Sequence, residues 1–509
     1  MNLSNFLSRE RTIAAPGFNR WLIPPAALAI HLSIGQVYAY SVVKSALLKL
    51  ENGSWESTDL FWIFSISILF LGLSAATFGK WLEKVGPRKA MFAAAICFSS
   101  GFLISALGVA THQLWLIYLG NGVVGGIGLG IGYISPVSTL IKWFPDRPGM
   151  ATGMAIMGFG GGALIAAPGM SALFETFAGK MADGQLVYTA EGMSIAFMAM
   201  AAFYFCFMMF GMFNIRIPAP NWKPEGYDPE KTAKNKMVSK AMVDANTAIK
   251  TPQFWLLFLM LFVNICAGIG VLEDAKPMIL HIFSDELMGG AGLGVTAATA
   301  TGFVGLLSFF NMGGRLGWST ISDKIGRKNT YLIYQFIGAL ILFSVPFAAG
   351  GKHLTVYVIL IAVIISFYGG GFGTIPAYLK DMFGTLEVGA IHGRLLVAWS
   401  LAGIVGPMIV NYVQKFNEHQ LEGKLEKLHA KVEAGAIAQA DYTLKAAELH
   451  ATTYDNIFYV MGCLLLIGVV CNLLIKPVHK KFYFKTELDN QHNKELENQL
   501  NKELENQPS

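Results

Sequence analysis

Residues 79–89 read GKWLEKVGPRK, and residues 322–328 read SDKIGRK. Each stretch sets an acid, Glu83 or Asp323, ahead of a glycine, Gly86 or Gly326, which basic residues follow: Arg88 and Lys89, or Arg327 and Lys328. A shift of 240 residues superimposes Glu83 on Asp323, Lys84 on Lys324, Gly86 on Gly326 and Arg88 on Lys328. The same shift puts Pro136 on Pro376, Gly149 on Gly389 and Gly153 on Gly393. One ungapped offset that serves two separate regions marks a chain made of two parallel repeats, an architecture in which a substrate path lies between the halves. An acid at a helix end beside basic partners, with small Gly79 preceding it, is suited to latch the halves through contacts that break and re-form as they rock. An ordinary positive loop would explain the bases, but neither the acid nor the duplicated glycine.

The 509 residues are 54% hydrophobic and 14% charged, with a mean hydropathy of +0.49. Soluble domains carry about 25% charged residues, so a soluble globular enzyme is excluded. The 55 glycines and 12% aromatics fit close-packed membrane helices. The net charge of +5 implies no nucleic-acid partner, because its distribution along the chain matters more than its sum. Cys97, Cys206, Cys266, Cys463 and Cys471 all lie in apolar runs without metal-ligand spacing, which argues against a disulfide framework or a zinc site.

Apolar runs of about 20 residues, enough to cross about 30 Å of hydrocarbon, fall near 21–43, 60–79, 90–110, 114–140, 149–174 and 193–213, then near 254–272, 295–318, 330–349, 354–379, 389–410 and 456–475. The expectation is an all-α membrane protein of twelve transmembrane helices in two pseudo-symmetric six-helix bundles: a first bundle over 1–213, a linker over 214–253, a second bundle over 254–475 and a polar tail over 476–509. Lys80, Lys84, Arg88 and Lys89, then Lys142 and Arg147, then Lys324, Arg327 and Lys328 fall in alternate loops. The positive-inside rule therefore places these loops, the linker and both termini in the cytoplasm. The first apolar run is too long for a signal sequence and reads as a retained helix. The 411–455 stretch, with Leu421, Leu425, Leu428 and Val432 at helical spacing, is expected to form a short external helical hairpin. NKELENQ at 493–499 returns at 501–507 and reads as a solvated or weakly self-associating tail.

At NRWLIPP (19–25), GQVYAYSVV (35–43), KWFPDRPGMATG (142–153), SDKIGRKNTY (322–331) and GAIHGRLLVAWSLAGIVGP (389–407), the chain resembles the major facilitator superfamily and, within it, the oxalate/formate antiporter family, relatives of the monocarboxylate transporters. The resemblance covers all twelve spans and omits 411–455 and the tail. It implies a secondary transporter of small carboxylates such as formate, lactate, pyruvate or oxalate, by antiport or proton symport with alternating access.

A carboxylate that leaves water needs fixed donors, and a guanidinium offers bidentate, permanently charged recognition. Arg315 lies eight residues before Asp323, about 12 Å deeper along the eighth span. Helical side chains lean toward their own amino terminus, which here points Arg315 to the bilayer centre and away from snorkelling. Asn311, one turn deeper, adds a neutral donor, and Asn-x-x-x-Arg matches the position of the family's carboxylate-binding arginine. In the eleventh span the same lean turns Arg394 back toward the cytoplasm, for a snorkelling or latch role. The family's oxalate exchanger has a lysine further along that helix; aligned through His392 and Gly393, the position here is Trp399. This departure favours a monocarboxylate paired with Arg315 alone.

His31, near mid-membrane, reads equally as a structural histidine bonded to a neighbouring helix or as a substrate or proton-coupling group. Gln36, Tyr38 and Tyr40 spread over more than one helix face, so only some of them line a pathway. Tyr133 and Tyr368, in glycine-interrupted helices, read as hydroxyl donors or as packing. Glu273, Asp274 and Lys276 form an interfacial cluster, with an outer gate or proton site as the sharper alternative. The competing functions are an efflux carrier for drugs or other amphipaths, which a buried cation disfavours, and a non-transporting membrane sensor. There is no P-loop and no nucleophile–base constellation, so neither an enzyme nor a cofactor is expected. The expected partners are a small carboxylate, the lipid bilayer, and protons or a counter-transported anion, for a monomer in the plasma (inner) membrane.

Overall fold

The computed structural model describes residues 3–51, 53, 55–182, 185–220, 222–227, 242–284, 293–438, 441, 442, 445, 446, 449 and 452–484. The repeated tail and the centre of the linker lie outside these residues, and Glu273 lies outside the described side chains. Among them, eleven helices are long and apolar enough to cross a membrane. In chain order these are α1 (Arg20–Leu47), α2 (Ser57–Val85), α3 (Pro87–Ala110), α4 (Leu114–Trp143), α5 (Pro148–Ala178) and α6 (Ala190–Asn214), followed by α7 (Pro252–Glu273), α9 (Arg327–Gly350), α10 (Leu354–Phe383), α11 (Val388–Glu433) and α12 (Thr452–Leu474). The remaining helix, α8 (Ala297–Ile325), is as long but less apolar, because Asn311, Arg315, Ser319, Ser322 and Asp323 sit along it. The protein, not lipid, must satisfy those groups, so the face of α8 that carries Asn311, Arg315, Ser319 and Ser322 is buried, while Leu306, Phe309 and Ile321 on its other face stay exposed.

Local chemistry sets the helix starts. Proline opens α3, α5 and α7, where its missing N–H is no loss. The side chains of Thr189, Thr251 and Thr296 accept from backbone N–H groups in the first turns of α6, α7 and α8. The turns that join α2 to α3 and α8 to α9 pass through Gly86 at φ +87° and Gly326 at φ +86°. These are left-handed conformations that residues with a side chain rarely adopt, so the duplicated glycine of the loop signature is a duplicated backbone.

Packing repeats with the sequence. In the first bundle α1 packs on α5, α2 on α4 and α3 on α6; in the second α7 packs on α11, α8 on α10 and α9 on α12. Between the bundles α5 packs on α8 and α2 on α11, again a symmetric pair. Two details add to this architecture. A two-stranded antiparallel hairpin, β1 (Gly179–Ala182) with β2 (Gln185–Tyr188), joins α5 to α6 in a chain expected to be all-α. The 411–455 region is continuous with the span: one helix, Val397–Glu433, runs on without a break, the chain turns at Gly435, and residues 441, 442, 445, 446 and 449 are helical again, with Tyr442 against His429 and Thr453 O bonded to Asn417.

Candidate functional site

Two latches close one face of the molecule. On α8, Asp323 accepts from the backbone N–H of Gly149 at 2.8 Å and of Met150 at 2.9 Å, the exposed donors at the start of α5. Arg327 holds the same carboxylate at 2.6 Å and Asp381 at 3.0 Å. On α2, Glu83 accepts from Gly389 N–H at the start of α11 at 3.1 Å, and from Lys142 Nζ at 2.7 Å. Acid and target helix are both related by the offset of 240, so each bundle grips the other's helix N-terminus, where backbone N–H groups and the helix dipole favour an anion. Lys80 reaches Glu387 across the same face at 3.5 Å. Gly79 lies against α11, where an added Cβ would stand 2.6 Å from Ala390 Cα. A cleft of about 420 Å³ beside the first latch is lined by Asp146, Asp323, Arg327, Lys380 and Asp381, so this cavity belongs to the latch face and not to Arg315.

Two basic residues expected at the latch have other partners. Arg88 turns to the amino-terminal segment, donating to Phe6 O at 3.0 Å and Arg11 O at 3.3 Å, so Lys142 replaces it as the base beside Glu83. Arg394 donates to Ala245 O and, at 2.7 Å, to Asn246 Oδ1, which pins the linker's end under α11. There Asp244 caps a short turn. Burial works against its charge, but hydrogen bonds from Thr247 and Asn246 hold its carboxyl below the usual range.

Midway between the bundles the guanidinium of Arg315 is fully buried. Its Nε donates to Asn311 Oδ1 at 3.1 Å, and its Nη1 crosses to Ile156 O of α5 at 3.3 Å. Phe372 and Phe159 face it at 4.9 and 5.6 Å from their ring centroids. Its Nη2 has no hydrogen-bond partner among the described residues. Gly160 permits this placement, since a Cβ there would stand 2.7 Å from Arg315 Nε. Two hydrogen bonds to neutral oxygens and two rings offset part of the cost of burying a charge, but none of these partners is an anion and Nη2 is unbonded among the described residues, so the site lacks a counter-charge.

Other unmet donors surround it. The Tyr133 hydroxyl and the Trp399 indole N–H are buried without partners among the described residues, and the two rings lie 5.4 Å apart. Trp399 also packs on Phe372 at 4.8 Å and Phe159 at 5.2 Å, forming an aromatic wall beside the guanidinium. The Tyr38 and Tyr368 hydroxyls meet across the bundles at 3.3 Å. His31 bonds Tyr133 O through Nε2 at 3.0 Å, which leaves Nδ1 as an unpartnered acceptor among the described residues. The structure thus gathers Arg315, Asn311, Tyr133, Tyr368, Trp399, Tyr38 and His31. It separates Gln36, which lines a small void inside the first bundle with Tyr40, Phe64 and Phe98. Asp274 lies away from the cluster, between α7 and the short helix Ala275–Phe283, where burial raises its carboxyl. Phe159, Phe372 and His392 do not stand out as site residues in the sequence; the first two look like any apolar helix residue, and the GAIHGR context of the third is its only signal.

The family model described as Major Facilitator Superfamily matches residues 17–407. The chain is 26% identical over 389 residues to an oxalate:formate antiporter of Oxalobacter formigenes, covering 76% of this chain and 83% of that protein. It is 23% identical over 399 residues to apicoplast pyruvate carrier 1 of Toxoplasma gondii, covering 70% and 68%. A bacterial homologue of the iron transporter ferroportin, solved in an outward-facing state, shares the fold at a TM-score of 0.58 and 13% identity, covering 89% and 98%. With a family model that spans most of the chain and twelve helices in two bundles that clasp each other symmetrically, the protein is a membrane transporter, not an enzyme, and belongs to the Major Facilitator Superfamily.

Proposed function

We propose that the chain is a secondary carrier of small monocarboxylates, the class of formate, lactate and pyruvate, moved by alternating access between the bundles. The observation that carries this reading is the buried Arg315 guanidinium with its Nη2 unsatisfied among the described residues. A carboxylate supplies the missing acceptor and the missing charge together, and a planar guanidinium accepts it as a two-point ligand. Tyr133 and Trp399 add neutral donors on the same side. With the aromatic wall in place of a second cation, a single negative charge balances the site, which supports monocarboxylates over oxalate. The wall would also suit an amphipathic efflux cargo, but the uncompensated guanidinium favours an anion.

In this reading the latch face is cytoplasmic, as are both termini and the linker over 214–253. The carrier works as a monomer in the plasma (inner) membrane, and the latches around Glu83 and Asp323 are its inner gate. The test is counterflow in reconstituted vesicles with labelled formate, lactate, pyruvate and oxalate. Wild type should exchange at least one monocarboxylate. Arg315→Gln should abolish exchange while inserting normally, and Arg315→Lys, which keeps the charge but loses the planar fork, should weaken affinity. Normal transport of all four acids by the Gln variant would refute the site.

A further inference from the structure

His392 is buried on α11, and neither of its ring nitrogens has a hydrogen-bond partner among the described residues. A neutral imidazole carries one donor and one acceptor, and leaving both unmet in a dry interior works against the fold. A packing role would not call for this residue type; an apolar side chain of like volume would fill the space at lower cost. The position of His392 is also specific. One turn toward the latch is Gly389, whose N–H is held by Glu83, and two turns the other way is Trp399 of the anion cluster. The His392 ring stands 5.8 Å from that of Tyr133, whose hydroxyl is likewise unmet.

The charged groups on the elements packed around it are already committed. From α2, Glu83 is bound to Lys142 of α4 and to Gly389, and Lys80 to Glu387. From α10, Lys380 and Asp381 pair at 3.6 Å. Asp244 caps the linker's short turn, and Arg394, on the same helix as His392, holds that turn. Between Pro252 and Leu272, α7 has no charged residue. His31 is bonded to the Tyr133 carbonyl. Among the described residues, no carboxylate is therefore free to stabilise an imidazolium at His392 until an anion arrives in the cluster.

From this arrangement we infer that His392 carries the proton that makes transport an electroneutral symport of one proton with one monocarboxylate. The inference rests on the carboxylate reading. Arg315 stays charged throughout, so the empty cluster opposes a second cation at His392; a bound anion removes that opposition, so proton binding and anion binding favour each other, and by linkage the coupling is reciprocal. The imidazole takes one proton from water on the side open to the cluster. The anion and the proton that travels with it carry no net charge together, and opening of the Glu83–Gly389 latch admits water one turn from His392, where the same proton leaves.

The experiment uses the full chain in vesicles with labelled formate and lactate, protein-free vesicles being subtracted and the membrane potential clamped. Three quantities are measured: counterflow at equal pH, accumulation driven by a one-unit pH step, and proton influx from a trapped dye. In wild type, one-to-one symport gives about tenfold accumulation for the unit step. His392→Gln should keep counterflow and lose both accumulation and proton influx; His353→Gln, in the exposed turn before α10, should keep all three. His392→Asn should give the same split, and serves if the Gln variant does not insert. Undiminished pH-driven accumulation in both His392 variants would overturn the inference, as would wild-type exchange that ignores the pH step. Loss of counterflow together with accumulation in both variants would also overturn it, by making His392 a binding or structural group. Absence of counterflow in wild type for every acid tested is a distinct outcome that sinks the carboxylate reading itself.

Discussion

Replacing Asp323 with Asn should open the latch face without touching the anion site. The carboxylate, with its side chain 14% exposed, accepts from Gly149 and Met150 N–H through its two separate oxygens. An amide keeps one acceptor and turns a donor toward the other N–H, while weakening the bond from Arg327. Charge-assisted hydrogen bonds are worth about 1.5–3 kcal/mol each. Partial exposure and the intact Glu83 latch reduce the total, so we take about 2–4 kcal/mol, or roughly a 30- to 1,000-fold shift of the conformational equilibrium toward the latch-open state. The assay is alkylation of a cysteine at Ser319, a buried position beside the α5 contact, by an impermeant reagent supplied from the latch side. The rate should rise by that factor in Asp323→Asn. Glu83→Gln should act in the same direction, and the two effects should add to within about 0.5 kcal/mol if the latches act independently. Substrate affinity should stay within about threefold, because a population shift between two states that bind equally well leaves binding unchanged. An unaltered alkylation rate together with a large loss of affinity would refute the latch assignment.

Gly160→Ala should displace the guanidinium, since the new methyl would stand 2.7 Å from Arg315 Nε; affinity should fall at least tenfold with little change in expression, and wild-type affinity would contradict this seat for the arginine. Trp399→Lys should raise oxalate binding relative to formate or lactate, because it places a second cation beside Arg315; a strong oxalate preference already present in wild type would defeat that reasoning. Asp274 has its carboxyl raised by burial, so the folded state disfavours its ionised form: the contribution is favourable below the ordinary carboxylate range and is lost as pH rises through the elevated folded value. Asp274→Asn should therefore raise the melting temperature near neutral pH and change little below about pH 4, and equal shifts at both would count against burial as the cause.

Much of this protein is legible as sequence because it rests on local rules. The length and apolarity of a span are properties of consecutive residues, and a repeat at constant offset survives as identities that need no contacts to be seen. So the twin loops around Glu83 and Asp323, their target glycines Gly149 and Gly389, and the inward lean of Arg315 can all be read directly. Tertiary structure decides what each polar group meets. Arg88 and Lys142 are equally basic near the first loop, but only Lys142 reaches Glu83, because the amino-terminal carbonyls of Phe6 and Arg11 capture Arg88. Gln36 and Tyr38 face different sides of their helix, as two-residue spacing requires, but only packing decides that Gln36 lies inside the first bundle and Tyr38 crosses to Tyr368. The unsatisfied Nη2 of Arg315 and the two orphan nitrogens of His392 are statements about absent neighbours among the described residues. A linear chain holds the identity of a donor; whether that donor is satisfied depends on atoms brought within about 3 Å from other helices, and that distance exists only once the two bundles have closed on each other.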